Sequence, residues 1–171
     1  ERELMSRNVF FMSDPHFGHS KITDGTFIPK RPFKDADEMD QAIIDNCNST
    51  VKPEDKLYIL GDVAISKKKI CLVDQINCRK TLILGNHDIF NTKEYLPYFD
   101  NIRAIRVFDG FIATHIPIHP DSLGRFKYNV HGHTHFNSII DERYINVCVE
   151  KTNYRPIELS EILKIIKNLE I

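Results

Sequence analysis

Asp14 and His16, Gly61 and Asp62, Gly85-Asn86-His87-Asp88, His115, and Gly132-His133-Thr134-His135 are the groups whose types and spacing suit metal chemistry. Oxygen and nitrogen donors without a thiolate suit divalent ions of the Mn, Fe or Zn kind. Asp14 and His16 stand two residues apart, as do His133 and His135. On an extended strand end, each such pair points to one side, so that Asp14 and His16 can reach one cation. The Asp62 carboxylate has two oxygens with which to bridge two cations, and Gly61 before it permits a sharp turn. Asn86 offers a neutral carbonyl oxygen. His87 followed by Asp88 reads as an imidazole fixed by a carboxylate, which sets its tautomer and raises its basicity. Five of the eight histidines, His115, His119, His131, His133 and His135, fall within 21 residues. Such crowding is costly for imidazoles that are merely packed. The set gives two carboxylates, one amide and four imidazoles as ligands, with His87 left over.

Each cluster follows a short apolar run: residues 9–12, 57–60, 81–84, 111–114 and 128–130. Runs of strand length that end in ligands describe strands delivering side chains to one edge of a sheet, where open α/β sheets bind their ligands. Between them, Asp35 and Glu38 resemble a helix start, with Met39, Ala42, Ile43 and Cys47 at helical spacing. Ser66 is expected to cap a short helix that carries Ile70, Val73 and Ile76 on one face. Asp109-Gly110 signals a hairpin between strands at 102–108 and 111–114. Further strands are expected at 138–140 and 145–149, and Ser160 should cap a final helix with Leu163, Ile166 and Leu169 in register. Strands that alternate with helices and then run on as hairpins suggest α/β layers around two sheets.

A length of 171 residues fits one domain over 1–171, with residues 1–4 read as an addition ahead of a native start at Met5. A hydrophobic fraction of 42% with 27% charged residues is ordinary for a globular chain. The formal net charge of −1 provides no global field for nucleic acid. Cys47, Cys71, Cys78 and Cys148 are scattered, with no C-x-x-C pair, and read as reduced core thiols. No apolar stretch approaches the ~18 residues needed to span a bilayer, and the charged start is unlike a signal peptide. A cytoplasmic protein is expected.

In this order, D-x-H, G-D, G-N-H-D, H and G-H-x-H resemble the calcineurin-like metallophosphoesterases, across residues 14 to 135. The resemblance implies a four-layer α-β-β-α sandwich with mixed sheets and a dinuclear site at one edge. It implies a first metal held by Asp14, His16, Asp62 and His135, and a second held by Asp62, Asn86, His115 and His133. Manganese leads, with iron, zinc or nickel as alternatives. His87 would contact the phosphate or protonate the leaving oxygen, with Asp88 behind it. Protein phosphatases of the superfamily carry Asp-Arg-Gly after the second block, whereas this chain has Val63-Ala64-Ile65. That lost Arg weakens a protein phosphatase reading. The chain is similar to the small bacterial and phage members, which favours a phosphodiester of a small nucleotide or like substrate.

Two ions about 3.5–4 Å apart can lower the pKa of a shared water and supply hydroxide at neutral pH. His19, three residues beyond His16, is a candidate substrate contact, as are Arg125 and Lys127 between the fourth and fifth blocks. For Arg125 and Lys127, surface solvation is the plainer reading. His119 and His131 are expected to be structural, and the basic run 30–34 to be a solvated loop. Three other functions compete: a phosphomonoesterase of the same chemistry, an interaction scaffold such as the retromer subunit that shares this fold, and an RNA-end or DNA-processing enzyme, which the near-neutral net charge does not encourage. The retained His87 favours an enzyme. Oligomeric state is not legible.

Overall fold

Nine short strands form two sheets in a computed structural model that describes residues 7–170. The reading of residues 1–4 lies outside that range. The first sheet has the order β4-β3-β2-β1-β9. Its strands are β1 (Val9–Met12), β2 (Lys56–Ile59), β3 (Arg79–Ile83), β4 (Asn101–Arg103) and β9 (Ile157–Glu158). β1 to β4 pair in parallel and β9 is antiparallel to β1. The second sheet has the order β5-β6-β7-β8, from β5 (Arg106–Phe108), β6 (Phe111–Ala113), β7 (Tyr128–His131) and β8 (Tyr144–Asn146). Only β5 is antiparallel there. The fold is therefore α/β with two mixed sheets.

Alternation along the first sheet divides two cores. Phe10, Met12, Leu57, Ile59 and Leu82 face one way, onto Met39, Ile43, Ile44 and Cys47 of helix α1 (Ala36–Thr50). Phe11, Tyr58, Leu60 and Ile83 face the other way and meet Phe111, Ala113, Tyr128, Val130 and Ile145 of the second sheet. Strands buried on both faces read as near-continuous apolar runs, which is why 9–12 and 57–60 carry no polar alternation. Helix α2 (Leu159–Leu169) sets Ile162 and Ile166 into the inter-sheet core.

Several local expectations need correction. The predicted strand 102–108 is two strands, β4 and β5, one in each sheet, with the chain crossing at Ala104 and Ile105. The 109–110 hairpin forms as expected, pairing Phe108 with Phe111. Beyond it the second sheet runs parallel, not as further hairpins. Residues 138–140 form no strand, and the expected strand 145–149 is the shorter β8. The Ile70/Val73/Ile76 face lies on a 3-10 run, Lys67–Gln75, whose three-residue period matches that spacing, and the Ser66 side chain makes no cap bond. Asp35 caps α1 by accepting from Glu38 N. α2 instead starts at Glu158, which forms a capping box with Glu161, so Leu163 turns outward and Ile162 inward. No described helix is long and apolar enough to cross a membrane.

Where the sheets meet, Ser13 N donates to Val147 O and Val149 N to Ser13 O. This join brings the carboxyl ends of β1, β2, β3, β6 and β7 to one edge.

Candidate metal centre

Asp14 and His16 leave β1, Asp62 follows β2, Asn86 and His87 follow β3, His115 follows β6, and His133 and His135 follow β7. The geometry that turns them inward is not the extended pleat expected for i, i+2 pairs. Asp14 (φ 57°), His16 (φ 50°), Asp62 (φ 54°), His133 (φ 68°) and His135 (φ 50°) all adopt left-handed backbone. Side chains other than glycine rarely occupy that region, and such strain concentrates at functional sites.

The ligand atoms gather in two groups, Asp14/His16/His135 and Asp62/His115/His133, each with its atoms within 4.8 Å of one another. Asp62 faces both groups. Its Oδ2 lies 3.5 Å from His16 Nε2 and its Oδ1 lies 3.4 Å from His115 Nε2. Asp14 Oδ1 stands 3.6 Å from both His16 Nε2 and His135 Nε2. Asp14 Oδ1 and His16 Nε2 are buried and have no hydrogen-bond partner. Buried polar atoms are seldom left so, and two that face each other beyond hydrogen-bond reach fit a shared cation. Asn86 Oδ1 approaches His115 Nε2 at 2.9 Å.

Hydrogen bonds on the far side of the rings set their tautomers. His115 Nδ1 lies 2.6 Å from the Leu60 carbonyl, which can only accept, so Nδ1 carries the proton. His135 Nδ1 likewise donates to Glu150 Oε1 at 2.9 Å. Both rings thus turn Nε2 to the site, as metal-binding imidazoles do. Burial alone would raise the Asp14 carboxyl. The close His16 imidazole and the charges of His115 and His135 outweigh it and hold Asp14 below the usual carboxylate range. Burial would lower His115, but its bond to Asp62 and the Asp14 charge raise it.

The motif glycines are required by close approach. A Cβ on Gly85 would strike the Asp62 carboxylate, and one on Gly132 would strike Ser13 Oγ and the Asp14 carboxylate. The turns pack directly on the ligands they position.

His87 is exposed and its ring centroid lies 5.6 Å from that of His16. It lines a cleft of about 380 Å³ together with His16, His19 and His135. The candidate substrate residue His19 is therefore at the site. Burial, then the charges of His16 and Arg31, bring its pKa down to about 4, so it is neutral at pH 7.

Three other expectations change. Asp88 does not sit behind the His87 ring. Its carboxylate accepts from the backbone N–H groups of Asp62, Val63 and Gly85 at 2.8, 3.0 and 2.8 Å, and so ties the second motif to the third. Arg125 and Lys127 do not reach the site. The crossover from β6 to the parallel strand β7 must return to the opposite end of the sheet, so residues just before β7 lie away from its carboxyl end. There Lys127 stands 3.9 Å from Glu170 and Arg125 stacks over Phe126. His119 is exposed, and His131 is buried with Nδ1 on Gly132 O and belongs to neither ligand group.

Two residues went unread as site components. Arg31, assigned to a solvated loop, is 1% exposed and donates to Asp14 O, Pro15 O and Glu150 Oε1. Glu150 links Arg31 to His135. The only signal for it was an acid directly after the apolar run at 147–149.

No family model matches the chain. The chain is 31% identical to the uncharacterised protein MJ1445 of Methanocaldococcus jannaschii over 175 residues, 96% of this chain and 94% of that protein. It is 31% identical to the gene 66 protein of Mycobacterium phage L5 over 86 residues, 47% of this chain and 40% of that one. A crystal structure of AQ665 from Aquifex aeolicus, a protein of unknown function, superposes with a TM-score of 0.73 at 28% identity, covering 92% of this chain and 98% of that one.

Proposed function

This chain belongs to the same family as the M. jannaschii protein MJ1445, and we propose that it is a dinuclear metal-dependent phosphodiesterase of the calcineurin-like kind. The observation that carries the reading is the Asp62 carboxylate, with one oxygen toward His16 and the other toward His115. Asp14, His16, Asp62 and His135 would hold one divalent ion, and Asp62, Asn86, His115 and His133 the other. Manganese is the leading choice, with iron, zinc or nickel as alternatives. Bound there, the pair would supply a nucleophile at neutral pH and neutralise charge on the phosphoryl oxygens.

The remaining work falls to side chains of the cleft. His87 is exposed beside His16 and is the residue positioned to give a proton to the leaving oxygen, or to grip a phosphoryl oxygen. His19, neutral at pH 7, would hydrogen-bond the substrate without adding charge. Val63 and Ala64, which stand where protein phosphatases carry Arg, are buried and apolar. Arg31 is occupied by Glu150. With no free guanidinium among the described residues that line the cleft, a second phosphoryl charge goes unmatched and a diester is favoured over a monoester.

The four-layer sandwich is part of this proposal. α1 on the first sheet and the core between the two sheets support three of its layers. Four free thiols support a reducing, cytoplasmic setting.

The test is hydrolysis by the Mn²⁺-loaded protein at neutral pH. Bis-p-nitrophenyl phosphate should be cleaved faster than p-nitrophenyl phosphate, and Asp62→Asn should lose both metal equivalents and turnover. A strong monoester preference would make it a phosphatase. Two bound metals with turnover of neither ester would leave the interaction scaffold.

A further inference from the structure

The cleft beside His16 and His87 has a second wall that metal chemistry does not use. Residues 22–29 and Phe136 form it, presenting Ile22, Phe27, Ile28, Pro29 and the Phe136 ring. Phe27 is 51% and Ile28 91% exposed, although large apolar side chains in contiguous patches are normally covered unless they bind something. The Phe27 ring is not adrift. His19 meets it edge-on, with centroids 5.9 Å apart and planes at 89°, and His19 in turn packs against His16 at 5.7 Å. A ligand-group ring, a cleft imidazole and an exposed phenyl ring therefore stand in sequence.

The charges of the lining cancel. Among the described residues that line the cleft, the only Lys, Arg, Asp or Glu are Arg31 and Glu150, paired at 2.7 Å with side chains 1% and 2% exposed. Neither Lys nor a free Arg is among the described lining residues to take a further phosphate. A volume of about 380 Å³ lies at the small end of ordinary ligand sites, enough for one ring system and too little for an extended chain.

We propose that this cleft receives one ester arm of the phosphodiester, and that the arm is an uncharged aromatic group, a nucleobase or aryl ring, seated against Phe27, Ile28 and Phe136. The proposal rests on the phosphodiesterase reading above and narrows it. Substrates that carry a second phosphate on that arm, or that continue as a polynucleotide, are excluded from this side of the site. Phe27 is then a specificity-determining residue and contributes nothing to metal binding.

Phosphonates with a single arm test it by binding, independently of turnover. Phenylphosphonate should bind the Mn²⁺-loaded protein about tenfold more tightly than methylphosphonate in calorimetric titration, the scale of one well-placed aromatic contact. Phe27→Ala, at an exposed loop position, should remove that preference by lowering phenylphosphonate affinity to that of methylphosphonate, and Phe136→Ala should do the same. Equal affinity for the two phosphonates, with bis-p-nitrophenyl phosphate still hydrolysed, overturns the aromatic cleft and leaves the phosphodiesterase standing. Octylphosphonate binding more tightly than phenylphosphonate overturns it in favour of an aliphatic arm. Failure to bind either phosphonate, with no diester hydrolysis, overturns both readings.

Discussion

Nδ1 of His135 donates to Oε1 of Glu150 at 2.9 Å, and the same oxygen accepts from Nε and Nη2 of Arg31 at 2.9 and 2.7 Å. Arg31 also donates to the backbone oxygens of Asp14 and Pro15. One buried ion pair thus holds the first and last motifs of the site together, although they are more than a hundred residues apart in sequence. A carboxylate behind an imidazole fixes its orientation and makes it a better donor to a metal.

Glu150→Gln should therefore weaken the Asp14/His16/His135 site specifically. The amide keeps an acceptor oxygen but loses the charge that faces His135 and Arg31. Affinity for one Mn²⁺ equivalent should fall by about 10–100-fold, the usual cost of losing such a partner, while the Asp62/His115/His133 equivalent is retained. Calorimetric titration resolves the two. Unchanged affinity for both equivalents, in a variant whose circular dichroism matches the parent, would remove Glu150 from the site.

Gly85→Ala probes the other half. Gly85 has no left-handed backbone, so alanine brings no conformational penalty there. The added methyl would meet the Asp62 carboxylate, whose Oδ1 also accepts from His87 N at 2.8 Å. The expected result is a folded protein that has lost the bridging position of Asp62, with both metal equivalents weakened and diesterase turnover down by at least about 10²-fold, as when reacting groups are displaced by an ångström. Full metal loading in the alanine variant would show that the two turns can separate at no cost to the site.

The motif residues were legible because their types are chemically demanding and each follows a strand. His16, Asp62, His115 and His135 needed only the topology to bring them together. How they converge was not legible. Period-two alternation predicted extended pairs, whereas Asp14 and His16 use left-handed backbone stabilised by long-range contacts such as Arg31 on Asp14 O. Arg31 and Glu150 lie 119 residues apart, and neither has a spacing that local pattern can detect. Asp88 was read through its neighbour His87, yet its carboxylate serves three backbone N–H groups from two separate turns. Arg125 and Lys127 were close in sequence to two motifs but stood on the wrong side of a parallel crossover. The last helix start was misplaced for a smaller reason: the Ser at the apparent cap, Ser160, competes with a Glu-based capping box that begins two residues earlier at Glu158.

His87 separates catalyst from scaffold. Its backbone N–H is bound to Asp62 Oδ1, but its imidazole stands outside both ligand groups and is exposed in the cleft. His87→Ala therefore keeps the backbone contact, the fold and both metals. Turnover should still fall by about 10²–10⁴-fold, the contribution of a positioned general acid. The loss should be smaller when p-nitrophenolate leaves, since it departs readily without a proton, than when an alkoxide leaves. Comparing two diesters that share one arm and differ in the leaving group isolates proton transfer from binding. Equal losses on both would make His87 a phosphate ligand acting through hydrogen bonding and charge. No loss on either, with two metals bound, would take the His87 imidazole out of the chemistry.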